Sequence, residues 1–299
     1  MNWIAVTIVA AFFQNLRFTL QKNINKKVST VASTYVRFLF ALPFCIILFF
    51  AYFQNIEIIF KIIANENKFI LYFILGSLAQ IIFTFILLYL FKFSNFVVGT
   101  SLSKTEVIQI SVLEFIILHD KLNLLVVLGI IVSTIGIIIF SVKNINFFFK
   151  NLFSKITIIG LISGFFLGLS VVYFRAAAIS LEMFSSNFEK ALCTLIFGVT
   201  FQTFVMTIYI SIFEREQFAK LYENKYQCLL AGFSGFVATL SWFYAFTLIQ
   251  SSFVRALGQV ELIFSYLSSV YFFKEKIKPI EILGILIFIL GIIVILFFK

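Results

Sequence analysis

Apolar residues run through this chain in long blocks separated by short polar punctuation. A helix that spans a bilayer needs about 20 mainly apolar residues. Ten blocks reach that length, at roughly 3–21, 31–53, 68–91, 96–118, 123–142, 156–178, 186–212, 227–249, 252–273 and 279–298. The blocks are too long for strands and lack the alternation of a barrel, so helices are expected. Pro43 lies inside the second block, where it can kink the helix, and Pro279 opens the tenth, where its missing N–H costs little. The first block carries Gln14, Asn15 and Arg17, and neither a basic start nor a small-residue cleavage site accompanies it. It reads as a retained helix, not a signal peptide.

The polar exceptions inside the blocks form a pattern. Ser251–Lys278 carries Arg255 and Glu261 in an otherwise apolar stretch, and Phe96–Leu122 carries Glu106 at the matching place. At an offset of 155, Glu106 falls on Glu261, Tyr89 on Tyr244, Gly129 on Gly284 and Gly136 on Gly291. Asp120-Lys121-Leu122 falls on Glu275-Lys276-Ile277. Blocks three to five therefore repeat as blocks eight to ten. The expected organisation is a five-helix repeat at 1–142, a lysine-bearing linker at 143–155 and a second repeat at 156–299. Five is odd, so the second copy enters the membrane inverted. In such proteins the substrate site lies near the midplane, between the repeats. The expected fold class is an all-α multispanning membrane protein of ten transmembrane helices.

Composition agrees with this pattern. The chain is 62% hydrophobic and 12% charged, with 44 Phe among 299 residues. A soluble domain carries about 25% charge, so lipid must solvate this surface. The net charge of +10 comes from cations at block ends, not from a contiguous patch, which argues against nucleic acid. Thirteen Lys or Arg, Lys22 and Lys276 among them, fall in the loops after odd-numbered blocks, against four on the other side. The excess marks the cytoplasmic face and puts both termini outside. Cys45, Cys193 and Cys228 are far apart and His119 is the one histidine, so no metal site or disulfide framework is expected. Catalytic motifs and an ATP-binding domain are absent, which excludes primary active transport within this chain and gives no reason to expect an enzyme.

A charge inside a spanning helix is costly and marks a functional site by default. Gly99, Ser103, Glu106 and Gln109 share one helical face, as do Arg255, Gly258, Glu261, Ser265 and Ser268. The candidate substrate or ion pathway is therefore Glu106, Glu261, Arg37, Lys104, Arg255, Lys190, Gln259, Tyr244 and Tyr89. Arginines suit a carboxylate or phosphate, and the glutamates suit an amine or a proton. The competing reading makes each Glu a fixed ion pair with Lys104 or Arg255 that serves packing alone. Glu114 ranks below Glu106, one turn too far toward the membrane edge, and Arg17 and Arg175 read as snorkelling cations. Trp242 and Phe243 read as packing or lipid-facing residues. Gly160, Gly164 and Gly168 form a packing seam, and the Gly129/Gly136 and Gly284/Gly291 pairs let blocks five and ten pack closely.

The end of each repeat, EVIQISVLEFIILHDKLNLLVVLGIIVSTIG and ELIFSYLSSVYFFKEKIKPIEILGILIFILG, resembles EamA-type members of the drug/metabolite transporter superfamily. The likeness covers nearly the whole chain. Val107 and Leu262 stand where the family pattern has proline, so no proline-dependent kink is implied there. The resemblance implies a secondary transporter, an exporter or exchanger of a small polar metabolite such as an amino acid, working by alternating access. Several relatives look to have cytoplasmic termini, opposite to the loop count. The expected location is a bacterial inner (plasma) membrane. Expected partners are a small-molecule substrate, a coupled proton and membrane lipid, with no cofactor. The other readings are a lipid or lipid-precursor flippase and a non-transporting membrane receptor.

Overall fold

The computed structural model describes residues 3–92, 103–141, 154–264 and 279–298, and every regular element among them is helical. In chain order the helices are α1 (Trp3–Ile24), α2 (Thr30–Leu39), α3 (Leu42–Phe53), α4 (Glu57–Asn65), α5 (Asn67–Leu90), α6 (Glu106–Leu118) and α7 (Leu124–Ser141). There follow α8 (Lys155–Ser180), α9 (Asn187–Phe213), α10 (Gln217–Glu223), α11 (Lys225–Leu248), α12 (Ser251–Gly258) and α13 (Pro279–Phe298). Among the described residues, seven stretches are long and apolar enough to cross a membrane by length and composition, counting Thr30–Phe53 as one. Large apolar side chains such as Ile47, Phe204, Ile212 and Phe297 point outward, as lipid permits.

Block two is bent, as Pro43 allows. It breaks at Phe40–Ala41, just before Pro43 in the first turn of α3. Proline cannot donate to the helix ladder, so the break precedes it. The bend is also seated: a Cβ on Gly232 of α11 would stand 2.3 Å from the Phe40 carbonyl carbon. The short surface helices α4 and α10 lie outside the ten blocks. The linker at 143–153 lies outside the described residues, and α8 starts at Lys155 with Ser154 accepting from the Thr157 amide.

Packing repeats itself. α1 lies along α11, and α5 lies along α8. In the expected repeat block one answers to block six and block three to block eight, which would make these one pairing made twice. The contacts of α6 with α8 and of α12 with α1 are related in the same way. α7 lies along α13 at backbone distance. A Cβ on Gly136 would stand 2.4 Å from the Phe288 nitrogen, and one on Gly291 2.4 Å from the Ser133 nitrogen. Gly129 and Gly284 complete the seam, with carbonyl oxygens facing Gly291 and Gly136. Small residues let backbones approach this closely, which is the main source of helix adhesion in lipid.

Candidate functional site

The stretches bearing Glu106 and Glu261 are interrupted helices, which corrects the continuous polar stripes expected from spacing. Ser103 is helical, Lys104 and Thr105 form a turn, and α6 begins at Glu106. Likewise α12 ends at Gly258, Gln259 and Val260 form a turn, and the chain is helical again from Glu261 to Phe264. The two turns correspond residue for residue at the offset of 155. Neither contains proline. Gly99, Ser265 and Ser268 lie outside the described residues.

Packing holds both turns. A Cβ on Gly164 of α8 would stand 2.8 Å from the Ser103 carbonyl oxygen. One on Gly258 would stand 2.3 Å from the Trp242 ring. Gly168, one turn beyond Gly164, faces Leu113 of α6, and Gly160 is buried.

Each turn presents its polar side chain to the glutamate of the other half. Lys104 forms an ion pair with Glu261, and its counterpart Gln259 donates to Glu106 at 3.1 Å. Arg255, in the last turn of α12, forms an ion pair with Glu106. Gln14 of α1 donates to the second oxygen of Glu261. Gln14 is itself fixed by the Trp242 indole N–H, which donates to its amide oxygen at 2.8 Å. The Arg255 guanidinium lies 4.5 Å over the Trp242 ring, a favourable cation–π geometry. Glu106 is 1% and Glu261 3% exposed, so both carboxylates depend on these partners.

A cavity of about 320 Å³ lies beside this cluster, lined by Gln14, Lys104, Glu106, Arg255 and Glu261. Lys22 and Phe91 line it at the ends of α1 and α5, with Phe18 and Leu167 among its apolar walls. Other sequence candidates stand elsewhere. Arg37 is buried behind the wall, donating to Thr84 at 2.9 Å, and does not line the cavity. Tyr89 is exposed and stacks on Phe85, and Tyr244 packs edge-on against Phe188. Lys190 sits in the first turn of α9, also away from the cavity. The tyrosines share a repeat position, and neither lines the cavity.

Sequence reasoning passed over Gln14, Trp242 and the far end of α6. Glu114 is wholly buried. It accepts from the Ser251 amide at 2.7 Å, the Ser252 amide at 3.0 Å and the Ser251 hydroxyl. It thus caps the N-terminus of α12 with a side chain from another helix, where a negative charge suits both the free amides and the helix dipole. Arg175 of α8 stands 3.3 Å from Glu114 and also pairs with Asp120, so it is a bridging residue and not a snorkelling one. Beyond this network a second, more open depression of about 560 Å³ is lined by Lys121, Arg175, Gln250 and Phe253. His119 is exposed in the left-handed cap of α6. No cluster of three or more potential metal ligands occurs among the described residues.

A family model described as the EamA-like transporter family matches residues 1–142 and 154–297. No curated protein sequence matches the chain. A solved structure titled "Crystal structure of protein" superposes with a TM-score of 0.71, covering 98% of this chain and 96% of that one, at 11% identity. At that identity the likeness speaks for the fold alone.

Proposed function

Because the chain belongs to the EamA-like transporter family, and is thus a multi-pass integral membrane protein of the drug/metabolite transporter type, we propose that it is a secondary transporter of a small polar metabolite. The substrate occupies the cavity beside Glu106 and Glu261 and crosses by alternating access. One observation carries this reading: the two turns, at matching positions of the chain, exchange polar contacts beside one cavity of about 320 Å³. Interrupted helices at a repeat interface are how many secondary transporters build a binding site at membrane depth.

In this reading the two repeats are 1–142 and 156–299, joined by 143–155, with ten spans in all. The second repeat is inverted, both termini are outside, and the membrane is a bacterial inner membrane. The Lys22 end of the cavity is then its cytoplasmic mouth. The Glu114–Arg175–Asp120 network closes the opposite side, and opening requires α12 to part from α6. A coupled proton travels on the Glu106/Glu261 pair, displacing Lys104 or Arg255 as it binds.

The test is uptake into proteoliposomes with an imposed pH gradient. Glu261→Gln should abolish uptake or uncouple it from the gradient, with the thermal midpoint of the purified protein retained. Full, pH-dependent uptake by that variant sinks the coupling role.

A further inference from the structure

The charges around the cavity do not balance. Among the described residues each carboxylate forms an ion pair: Glu106 with Arg255 and Glu261 with Lys104. Lys22 also lines the cavity, and two further cations are buried behind it. Arg17 is 1% exposed and donates only to the Gln21 amide oxygen, at 2.8 Å. Its Nε has no hydrogen-bond partner among the described residues. Arg37 is 6% exposed and donates to the Thr84 hydroxyl. Neither has a carboxylate within 4.0 Å among the described residues.

These two guanidiniums belong to the same electrostatic unit as the cavity. They flank Gly235, where a Cβ would stand 3.1 Å from Arg17 Cδ and 3.8 Å from Arg37 Cγ. Arg17 feels the charges of Glu261 and Arg255, and Arg37 feels those of Arg17 and Arg255. Arg17 sits on α1, between Gln14 and Lys22, which both line the cavity. Arg255 also keeps an unpaired Nε among the described residues. A buried cation in a low-dielectric region is tolerated only with a counter-charge or a full set of acceptors. Among the described residues no carboxylate comes within 4.0 Å of Arg17 or Arg37, and Arg17 Nε lacks an acceptor. Beside them is a cavity with room for a small solute.

We propose that the cavity selects a substrate of net negative charge, a small carboxylate or phosphate-bearing metabolite, and that Arg17 and Arg37 provide the surplus positive field from behind the α1 wall. The substrate completes the charge balance. This inference rests on the transport reading of the same cavity.

The experiment reads the field without needing the substrate's identity. Asn15, which lines the cavity, is replaced by cysteine in a background where Cys45, Cys193 and Cys228 are alanine. Anionic (sulfonatoethyl) and cationic (trimethylammonioethyl) methanethiosulfonates are then compared in phosphatidylcholine vesicles, each rate normalised to a free thiol. The anionic reagent should be favoured about 10-fold, since opposite charge concentrates reagent in a walled cleft by that order. R17Q/R37Q should bring the ratio near unity, single R17Q should fall between, and R17K/R37K should keep it. A cationic preference, or a ratio indifferent to the double Gln variant, overturns the proposal.

Thermal stabilisation by succinate, inorganic phosphate, alanine and putrescine separates this inference from the one beneath it. Stabilisation and uptake of putrescine or alanine, with no response to the anions, refutes the anionic class and leaves transport standing. The charge ratio as expected, but no uptake of any probe, counts against transport and for the anionic field. Stabilisation by phosphatidylglycerol and by neither soluble anion overturns a soluble substrate in favour of a lipid headgroup.

Discussion

Glu106 and Glu114 stand eight residues apart on α6, about 12 Å along the axis, and the protein uses them in opposite ways. Both hold α12. Glu114 holds its N-terminus through two backbone amides and a hydroxyl, and Glu106 holds its C-terminal turn through Arg255 and Gln259. The polarity suits the helix dipole at each end, an anion at the start and a cation at the finish. The difference lies in the partners. Backbone amides are fixed to the helix they belong to, so Glu114 can release them only if α12 moves. Arg255, Gln259 and Lys104 are side chains beside a cavity, and their rotamers can exchange a carboxylate for a ligand. A buried acid satisfied by backbone is a fastener, whereas one satisfied by side chains next to open volume is free to serve the binding role proposed above.

The strongest way to break this comparison is Glu114→Ala. It strands two amides and leaves Arg175 with Asp120 alone, and breaking a buried pair costs about 3–5 kcal/mol. The thermal midpoint in detergent should fall by far more than for Glu106→Gln. Equal losses would mean that both acids are fasteners. The next effect is functional. Glu106→Gln keeps a hydrogen-bond acceptor for Gln259 but removes the charge facing Arg255. Uptake should fall at least ~10-fold, equivalent to about 1.4 kcal/mol, while the fold survives. Retained uptake would move Glu106 into Glu114's class.

Trp242→Phe sharpens the account of how the cavity is held. It keeps an aromatic ring, but loses the indole atoms that face Gly258 and the N–H to Gln14. The lost bond and the weaker ring face should cost about 1 kcal/mol, read as a few-fold rise in the substrate concentration for half-maximal uptake. The smallest effect belongs to Tyr89→Phe and Tyr244→Phe, expected within about 0.5 kcal/mol of the parent in stability and unchanged in uptake. A clear loss of transport by either would show that the cavity reaches that tyrosine in another state.

How much was legible beforehand varies by residue. The repeat at offset 155 is visible in the chain, and both Glu106 and Glu261 line one cavity. Glycines at seven-residue spacing are visible too, and Gly136 and Gly291 meet backbone from the opposite helix. The helix interruptions were not legible. Helical spacing was extended through Lys104–Thr105 and Gln259–Val260, and the family's proline is missing from both stretches. The turns coincide with tertiary contacts, Ser103 against Gly164 and Gly258 against Trp242, from other helices. Trp242 read as filler because an indole in an apolar block has no local mark of polar use. Its partner Gln14 is 228 residues away. Arg37 was placed at the cavity because it lies deep in its block, but depth does not tell which way a side chain turns.

The amino-acid sequence by itself determined that this chain lives in lipid, in helices, with an acid at the same position of each half. Apolar block length, low charge and an internal offset are local or one-dimensional properties, so they survive without coordinates. The tertiary structure alone decided which cation meets which acid, where the helices break, and that Glu114 fastens while Glu106 faces open volume. The polar pairings join residues more than 130 positions apart and the turns are held by contacts between helices, and in a bilayer both are selected by packing and by the cost of leaving a buried charge unpaired.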